Sequence, residues 1–173
     1  MKIAIIGSAE TTKDKNLVSL CGGVGKYLEE KDISILTGGC DGIPGLIVKS
    51  CNSKNIIAYS PDIDEDSHNL QNDNLNSKYF SEMKFIQGFT ARSLKMIEDS
   101  DAIILIGGRI GTLSEFTIAL EEGKKVLVIK DSGCIADHLE YILQVANKEF
   151  PDQIIFEKDY KKGIDRLVEM VGE

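Results

Sequence analysis

The chain has 173 residues, of which 42% are hydrophobic and 28% are charged, and we predict that residues 1–173 form one globular domain. Its 28 acidic residues outweigh 20 basic ones, which gives a net charge of −8. Nucleic-acid-binding surfaces are normally basic, so this charge argues against a nucleic-acid partner. An acidic protein can still hold one anionic ligand in a locally positive pocket.

The four cysteines and two histidines have neither metal-ligand spacing nor the spacing of a disulfide framework. The sequence therefore predicts no metal site. It contains no signal peptide and no apolar run long enough to cross a bilayer. We expect a cytoplasmic protein with reduced thiols and no membrane partner.

Short apolar runs alternate along the chain with amphipathic stretches of helical length. The first run, residues 2–7, is typical of a strand buried on both faces of a parallel sheet. Six more strands are predicted, at residues 33–37, 56–60, 83–86, 102–106, 126–129 and 154–156. Helices are predicted at residues 15–30, 42–53, 89–99, 112–123, 135–148 and 160–171. The alternation predicts a single doubly wound, Rossmann-like α/β domain, with a mainly parallel sheet flanked by helices.

Residues 61–78 interrupt this alternation, because they are rich in Asp, Asn and Ser and have no apolar period. Segments of this composition are typical of surface loops. We predict a long, solvated surface loop here. The alternative is a flap over the ligand site, since long loops in compact domains are often functional.

Glycines follow three of the predicted strands. Ligands of open parallel sheets bind outside the carboxyl ends of the strands, and glycines there let a ligand approach the main chain closely. The three strand ends therefore predict a single ligand site. Its candidate residues are Gly7 and Ser8 after the first strand, Gly38 and Gly39 after the second, and Gly107 and Gly108 after the fifth.

Two common nucleotide motifs are absent. The turn after the first strand lacks the G-x-G-x-x-G fingerprint of dinucleotide-binding folds. Gly25-Lys26 resembles part of a P-loop, but Leu20 occupies the position of the first glycine and the pair lies within a predicted helix. The sequence predicts neither NAD binding nor ATP hydrolysis, and no cofactor.

Residues 107–115 join the fifth strand to a helix predicted to begin near Thr112. Free N–H groups at a helix start, together with the helix dipole, form a site for phosphate, and Gly108 and Gly111 keep side chains away from it. Residues 112–115 also have the S/T-x-x-E form of a capping box. Glu115 therefore either bonds back to Thr112 or points into the pocket. Arg109 either contacts the phosphate or projects into solvent.

This turn resembles the Gly-Gly-x-Gly-Thr-x-x-Glu signature of the "lonely guy" proteins, which are also named lysine decarboxylases. Here one more residue separates the paired glycines from Gly111, and Ile106 stands where that family has proline. The wider superfamily includes molybdenum-cofactor carrier proteins and the Rossmann domain of the DNA-processing protein A. The resemblance covers most of the chain, with its core at residues 88–115.

The resemblance implies a nucleoside 5′-monophosphate phosphoribohydrolase, which cuts an N-glycosidic bond. It implies that Gly108, Gly111 and Thr112 hold the 5′-phosphate. Glu115 would face the ribose, and Arg92 matches the arginine that the family pairs with that glutamate. A carboxylate near the ribose is chemically apt, because the transition state of glycoside cleavage is oxocarbenium-like. Relatives form homodimers or larger assemblies, so we expect the same here.

A carrier that binds a phosphorylated pterin cofactor or a nucleotide without breaking bonds is the alternative function. Ser93 follows Arg92, where the hydrolases commonly have lysine. Residues 119–126 resemble the Ala-Leu-x-x-Gly-Lys-x-Val segment of the cofactor-carrier branch. In either class the ligand is small and phosphorylated. No lysine-anchored pyridoxal phosphate site is recognisable, so lysine decarboxylation is not expected.

Overall fold

The computed structural model describes residues 1–52, 55–147 and 152–172. The strands within these ranges are β1 Lys2–Gly7, β2 Ser34–Thr37, β3 Ile56–Ser60, β4 Glu82–Phe85, β5 Ala102–Ile106, β6 Lys125–Ile129 and β7 Ile154–Glu157. They form one sheet in the order β4-β3-β2-β1-β5-β6-β7, and each neighbouring pair is parallel. The helices are α1 Lys15–Glu30, α2 Gly42–Ser50, α3 Glu65–Gln71, α4 Phe89–Glu98, α5 Ile110–Glu121, α6 Leu139–Ala146 and α7 Tyr160–Gly172. The predicted α/β Rossmann-like fold is confirmed.

Strand β1 shows how the sheet is buried on both faces. Ile3 and Ile5 pack in one hydrophobic cluster with residues of α1, α2 and α7, whereas Ala4 and Ile6 pack in another with residues of α4, α5 and α6. Successive side chains of a strand point to opposite faces, so a strand covered on both sides must be apolar throughout. The central apolar run of β1 meets this requirement.

Most predicted elements occur within a few residues of their expected bounds. Helix α1 and the strands β1, β3 and β5 coincide with their predictions. Helix α2 ends at Ser50, three residues earlier than predicted, and position 53 lies outside the described residues. Element ends of this kind depend on local hydrogen bonds that periodicity does not report.

The helix predicted at residues 135–148 is wrong in its first turn, and position 148 lies outside the described residues. Cys134–His138 form a 3₁₀ helix, and the α-helix begins only at Leu139. The N–H of Ile135 donates to the carbonyl of Gly108 at 3.2 Å, and that of Ala136 to the carbonyl of Gly107 at 2.9 Å. These bonds hold the first turn against the β5–α5 connection, away from α-helical geometry.

The loop predicted at residues 61–78 is also wrong, because it contains α3 and two short 3₁₀ helices. The Asp64 side chain caps α3 by accepting the N–H of Ser67 at 2.9 Å. Two side chains of the segment, His68 and Leu75, are buried. Polar residues of this segment cap helices and form buried hydrogen bonds. Hydropathy alone predicts that such residues are exposed to solvent.

Within the described residues, no helix has the length and apolar character needed to cross a membrane. The same residues contain no group of three or more His, Cys, Asp and Glu side chains close enough to hold a metal ion. They also contain no disulfide bond between the four cysteines.

Candidate functional site

A cavity of about 470 Å³ opens at the carboxyl ends of β1 and β5. Strand β1 lies between β2 and β5, so the strand order reverses at this point. The cavity walls come from the connections after β1, β2 and β5 and from the first turns of α4 and α5. Ligands of doubly wound sheets bind in this crevice, and the volume falls in the range of small-molecule sites.

The first turn of α5 forms one wall of the cavity. The helix begins at Ile110, and its first internal hydrogen bond runs from the N–H of Leu113 to the carbonyl of Arg109 at 2.9 Å. The N–H groups of Ile110, Gly111 and Thr112 precede that bond and have no intrahelical acceptor. The Arg109 side chain makes no capping bond. The helix start therefore presents N–H donors and a positive dipole end to an anion.

Gly107 and Gly108 shape the turn that leads into α5. Both have positive φ, 55° and 94°, which favours glycine. The N–H of Gly107 donates to Ser132 Oγ at 2.8 Å, and its carbonyl accepts the N–H of Ala136. A β carbon at position 108 would lie 2.5 Å from the side chain of Thr112. Hydrogen bonds to Ser132 and Ala136, together with the close packing of Thr112, thus hold this turn in place.

Glu115 is the sixth residue of α5 and does not form the capping box. Among the described residues, both hydrogen bonds to its carboxylate end on Oε1. One comes from Arg92 Nη1 at 3.2 Å and the other from Ser93 Oγ at 2.8 Å. The second oxygen, Oε2, accepts no hydrogen bond from the described residues. Burial raises the pKa of Glu115, and the opposing effects of Arg92 and Ser93 are smaller.

Arg92 is 9% exposed and lies on α4 with its guanidinium against the backbone of Gly38. Its Nε is buried and has no hydrogen-bond partner among the described residues. A buried donor without a partner is costly, so such groups in native proteins often await a ligand or a water molecule. Arg92 thus brings a positive charge to the cavity wall.

The predicted ligand-binding residues divide into two groups. Gly39 has φ of 67° and packs against His68, and with Gly107 and Gly108 it lies outside the cavity wall. None of the residues that the structure describes in full between positions 61 and 78 lines the cavity either, so the flap alternative gains no support. The predicted residues that do line the cavity are Gly7, Ser8, Gly38, Arg92, Gly111, Thr112 and Glu115.

Arg109 lies at the cavity mouth, where its side chain is 59% exposed and forms an ion pair with Glu10. The pair links the connection after β1 to that after β5. Exposed ion pairs contribute little stability, so this contact constrains Arg109 weakly. The side chain is thus largely exposed, and contact between Arg109 and a phosphate stays a prediction.

Several residues of the site were not predicted. In the sequence Ser93 is only a departure from the family pattern, although its hydroxyl is in direct contact with Glu115. Cys40 lines the cavity, and burial raises the pKa of its thiol even though Arg92 lowers it. Ser132 supports the turn from 25 residues away. A lone serine or cysteine at such a distance carries no sequence signal.

The fold and the cavity define a ligand-binding Rossmann-like protein. Residues 1–163 match the model of the SLOG cluster4 family, and the chain belongs to that family. An uncharacterized protein of Archaeoglobus fulgidus is 32% identical over 132 residues, which are 75% of this chain and 80% of that protein.

Solved structures have the same fold. The protein TM1055 is similar with a TM-score of 0.78 and 20% identity, over 97% of this chain and 98% of that one. The molybdenum cofactor carrier protein of Chlamydomonas reinhardtii is similar with a TM-score of 0.73 and 17% identity, over 99% and 98% of the two chains. The predicted superfamily resemblance is confirmed, and at these identities the likeness shows the fold.

The prediction that nucleic acid is excluded as a partner is wrong. DNA processing protein A from Helicobacter pylori, whose structure concerns its single-stranded DNA binding mode, is similar with a TM-score of 0.68. Its identity is 18%, over 98% of this chain and 80% of that one. Net charge sums over the whole chain, whereas binding depends on the local charge of one surface. A total of −8 therefore does not exclude nucleic acid.

Proposed function

We propose that the protein binds nucleoside 5′-monophosphates and hydrolyses their N-glycosidic bond to give the free base and ribose 5-phosphate. The observation that carries the proposal is the position of Glu115. This buried carboxylate lies in the cavity wall, held by Arg92 and Ser93, on the same helix that presents free N–H groups at its start. One helix therefore offers both an anion site and a carboxylate.

The spacing between the two parts of the site fits a nucleotide. Glu115 follows Gly111 by four residues, which corresponds to about 6 Å along the helix axis at a rise of 1.5 Å per residue. A 5′-phosphate bound at the helix start would place the ribose beside α5. The anomeric carbon, C1′, would then come near Oε2 of Glu115.

The proposed reaction is a hydrolysis at C1′. The bond between C1′ and the base nitrogen breaks and its electron pair leaves with the base, so positive charge develops on C1′ and the ring oxygen. The ionised carboxylate of Glu115 stabilises this charge. Water adds its oxygen to C1′, and its proton neutralises the departing base. Arg92 orients the carboxylate through Nη1.

A carrier function is the second candidate, because similar folds include the molybdenum cofactor carrier protein of Chlamydomonas reinhardtii and the molybdenum cofactor binding protein of Rippkaea orientalis. The carrier-like residues 119–126 do not bear on the site, however. Lys124 in this segment donates to the carbonyls of Glu98 and Ser100 at 3.0 and 2.6 Å, away from the cavity wall. That segment has a structural role here, so it supplies no argument for the carrier.

The experiment is to incubate the protein with AMP, GMP, CMP and UMP and to measure released base by chromatography. We expect turnover of at least one of them and none of adenosine, which lacks the phosphate. Glu115→Gln should nearly abolish turnover while AMP binding, measured by calorimetry, changes little. Glu122→Gln, an exposed position at the end of α5, is the matched control and should retain full turnover.

A wild-type protein that turns over none of the four, yet releases a pterin on denaturation by mass spectrometry, would overturn the hydrolase in favour of the carrier. If Glu115→Gln retains turnover, the Glu115 carboxylate is not required for the reaction. The expected homodimer is a separate proposal, tested by light scattering on the same preparation. A monomeric mass at assay concentration would contradict it.

A further inference from the structure

Two large apolar side chains at the cavity are exposed. Phe89 is 74% exposed and Ile110 is 79% exposed, and both belong to the cavity wall. Single exposed apolar residues are ordinary on protein surfaces. These two share one cavity, and each opens a helix that supplies the polar groups of the site. Phe89 begins α4, which carries Arg92, and Ile110 begins α5.

The deeper apolar wall has little surface left to offer a ligand. Ile5, Ile6 and Met96 also line the cavity, but each is about 1% exposed and already packed in the core. Burial of apolar surface stabilises a complex in proportion to the area removed from water. Phe89 and Ile110 are therefore the apolar residues of the wall that gain most when a ligand covers them.

The remaining part of the proposed ligand has the shape to cover them. With the phosphate at the start of α5 and the ribose beside Glu115, a nucleotide leaves only its flat heterocyclic ring without a partner. An exposed phenyl ring at the rim presents a face to such a ring, and base–aromatic stacking needs no particular hydrogen-bonding edge. Ile110 adds an aliphatic contact beside the phosphate site.

We propose that Phe89 stacks on the heterocyclic ring of the ligand and forms the ring subsite, whereas Ile110 contacts the ligand beside the phosphate. The inference rests on the proposed function, because it takes the phosphate and ribose positions from it. The ring subsite also predicts a preference among nucleoside 5′-monophosphates. Purine monophosphates, with the larger ring face, bind more tightly than pyrimidine monophosphates.

The chain contains no tryptophan, so Phe89→Trp creates a single fluorescent reporter at the subsite. AMP should quench or shift its emission, whereas ribose 5-phosphate, which lacks the ring, should not. Tyr141→Trp is the matched control. Position 141 is 67% exposed on α6 and lies outside the cavity wall, so its emission should not respond to AMP.

Affinity measurements complete the test. Phe89→Ala should weaken AMP binding by about 5- to 150-fold, the range for loss of one base–aromatic stack, and leave ribose 5-phosphate binding within about twofold. If wild type binds AMP and Phe89→Ala binds it equally tightly, the ring subsite is wrong but the proposed function still stands. A wild type that binds neither AMP nor ribose 5-phosphate would overturn the proposed function itself.

Discussion

A β carbon at position 38 would lie 2.5 Å from Nη1 of Arg92, so the guanidinium occupies the space that a side chain at this position would fill. The same nitrogen donates to Glu115 Oε1. The absence of a side chain at Gly38 thus allows the ion pair between α4 and α5. The sequence suggested a glycine that a ligand approaches closely, and in the structure Arg92 is the group that approaches it.

Gly38→Ala should therefore separate Arg92 from Glu115. We expect AMP affinity to fall by about tenfold or more. Removal of one partner of a buried charge pair costs about 2–5 kcal/mol. Calorimetry with AMP measures the effect. Gly22→Ala is the matched control, because no atom lies within 4 Å of its β carbon position and it lies in the middle of α1. That substitution should leave AMP affinity unchanged and stabilise the fold by up to about 1 kcal/mol.

If Gly38→Ala binds AMP as tightly as wild type, the position of the Arg92 guanidinium does not contribute to ligand binding. Urea unfolding of both variants separates this result from a general loss of structure. A variant that unfolds at much lower urea without a matched loss of AMP affinity would show that Gly38 serves packing alone.

The sequence predicted the parts of the site that depend on local pattern. Strand-end glycines located the cavity, since the carboxyl ends of parallel strands meet at one edge of the sheet. The contacts of Ser93 and Ser132 were not predictable, because they join segments 22 and 25 residues apart through single hydroxyl groups. The capping box at residues 112–115 was undecided for a related reason. Helix α5 begins two residues earlier than its polarity indicates, at Ile110.

The raised pKa of Glu115 predicts the pH dependence of turnover. Burial raises the pKa above the ordinary value of 4.5, and hydrogen bonding by Ser93 opposes the rise. Turnover requires the ionised form, so it should increase as pH rises through a pKa above 4.5. Ser93→Ala removes an interaction that favours the carboxylate, and the acidic limb of kcat/KM for AMP should move to higher pH.

The profile is measured from pH 4 to 8 with AMP as substrate. Thr90→Ala, at a neighbouring position of α4 that also lines the cavity, is the control and should keep the wild-type limb. A Ser93→Ala limb at the wild-type position, or one displaced to lower pH, would contradict the role given to Ser93. A Ser93→Ala variant that keeps the wild-type acidic limb of kcat/KM but has a lower melting temperature would indicate that the hydroxyl has a structural role only.

Asp99, the C-cap of α4, joins this helix to the sheet through a network that lies outside the cavity wall. Its Oδ2 accepts from Tyr59 Oη at 2.7 Å and Lys84 Nζ at 2.9 Å, and its Oδ1 pairs with Lys95 Nζ at 2.8 Å. Burial alone raises the pKa of Asp99, but these three partners outweigh it and hold the pKa well below its usual range. Burial and the bond to Asp99 raise the pKa of Tyr59 to about 12.

Asp99→Asn should destabilise the protein at neutral pH and lose its effect in acid. A carboxyl whose folded-state pKa is lowered contributes stability above its unfolded pKa, and that contribution is lost as pH falls through the folded value. The difference in unfolding free energy, about 1–2 kcal/mol at pH 7 after allowance for solvent screening, should therefore shrink as pH falls below 3.8. Urea unfolding at each pH measures it. A difference independent of pH would mean that packing, and not the charge, is responsible.

His68 ties the segment at residues 61–78 to the end of β3. Its Nδ1 lies 3.1 Å from Ser60 Oγ and its Nε2 lies 3.3 Å from the carbonyl of Leu75, and the ring is 1% exposed. His68→Ala removes both contacts and leaves a cavity, so it should cost about 2–3 kcal/mol of unfolding free energy. Leu70→Ala, on the same helix α3 but 82% exposed, should cost less than about 0.5 kcal/mol. Since neither His68 nor Leu70 lines the cavity, neither variant should change AMP affinity. A loss of AMP affinity in His68→Ala, measured well below its melting temperature, would restore the view that this segment closes over the ligand.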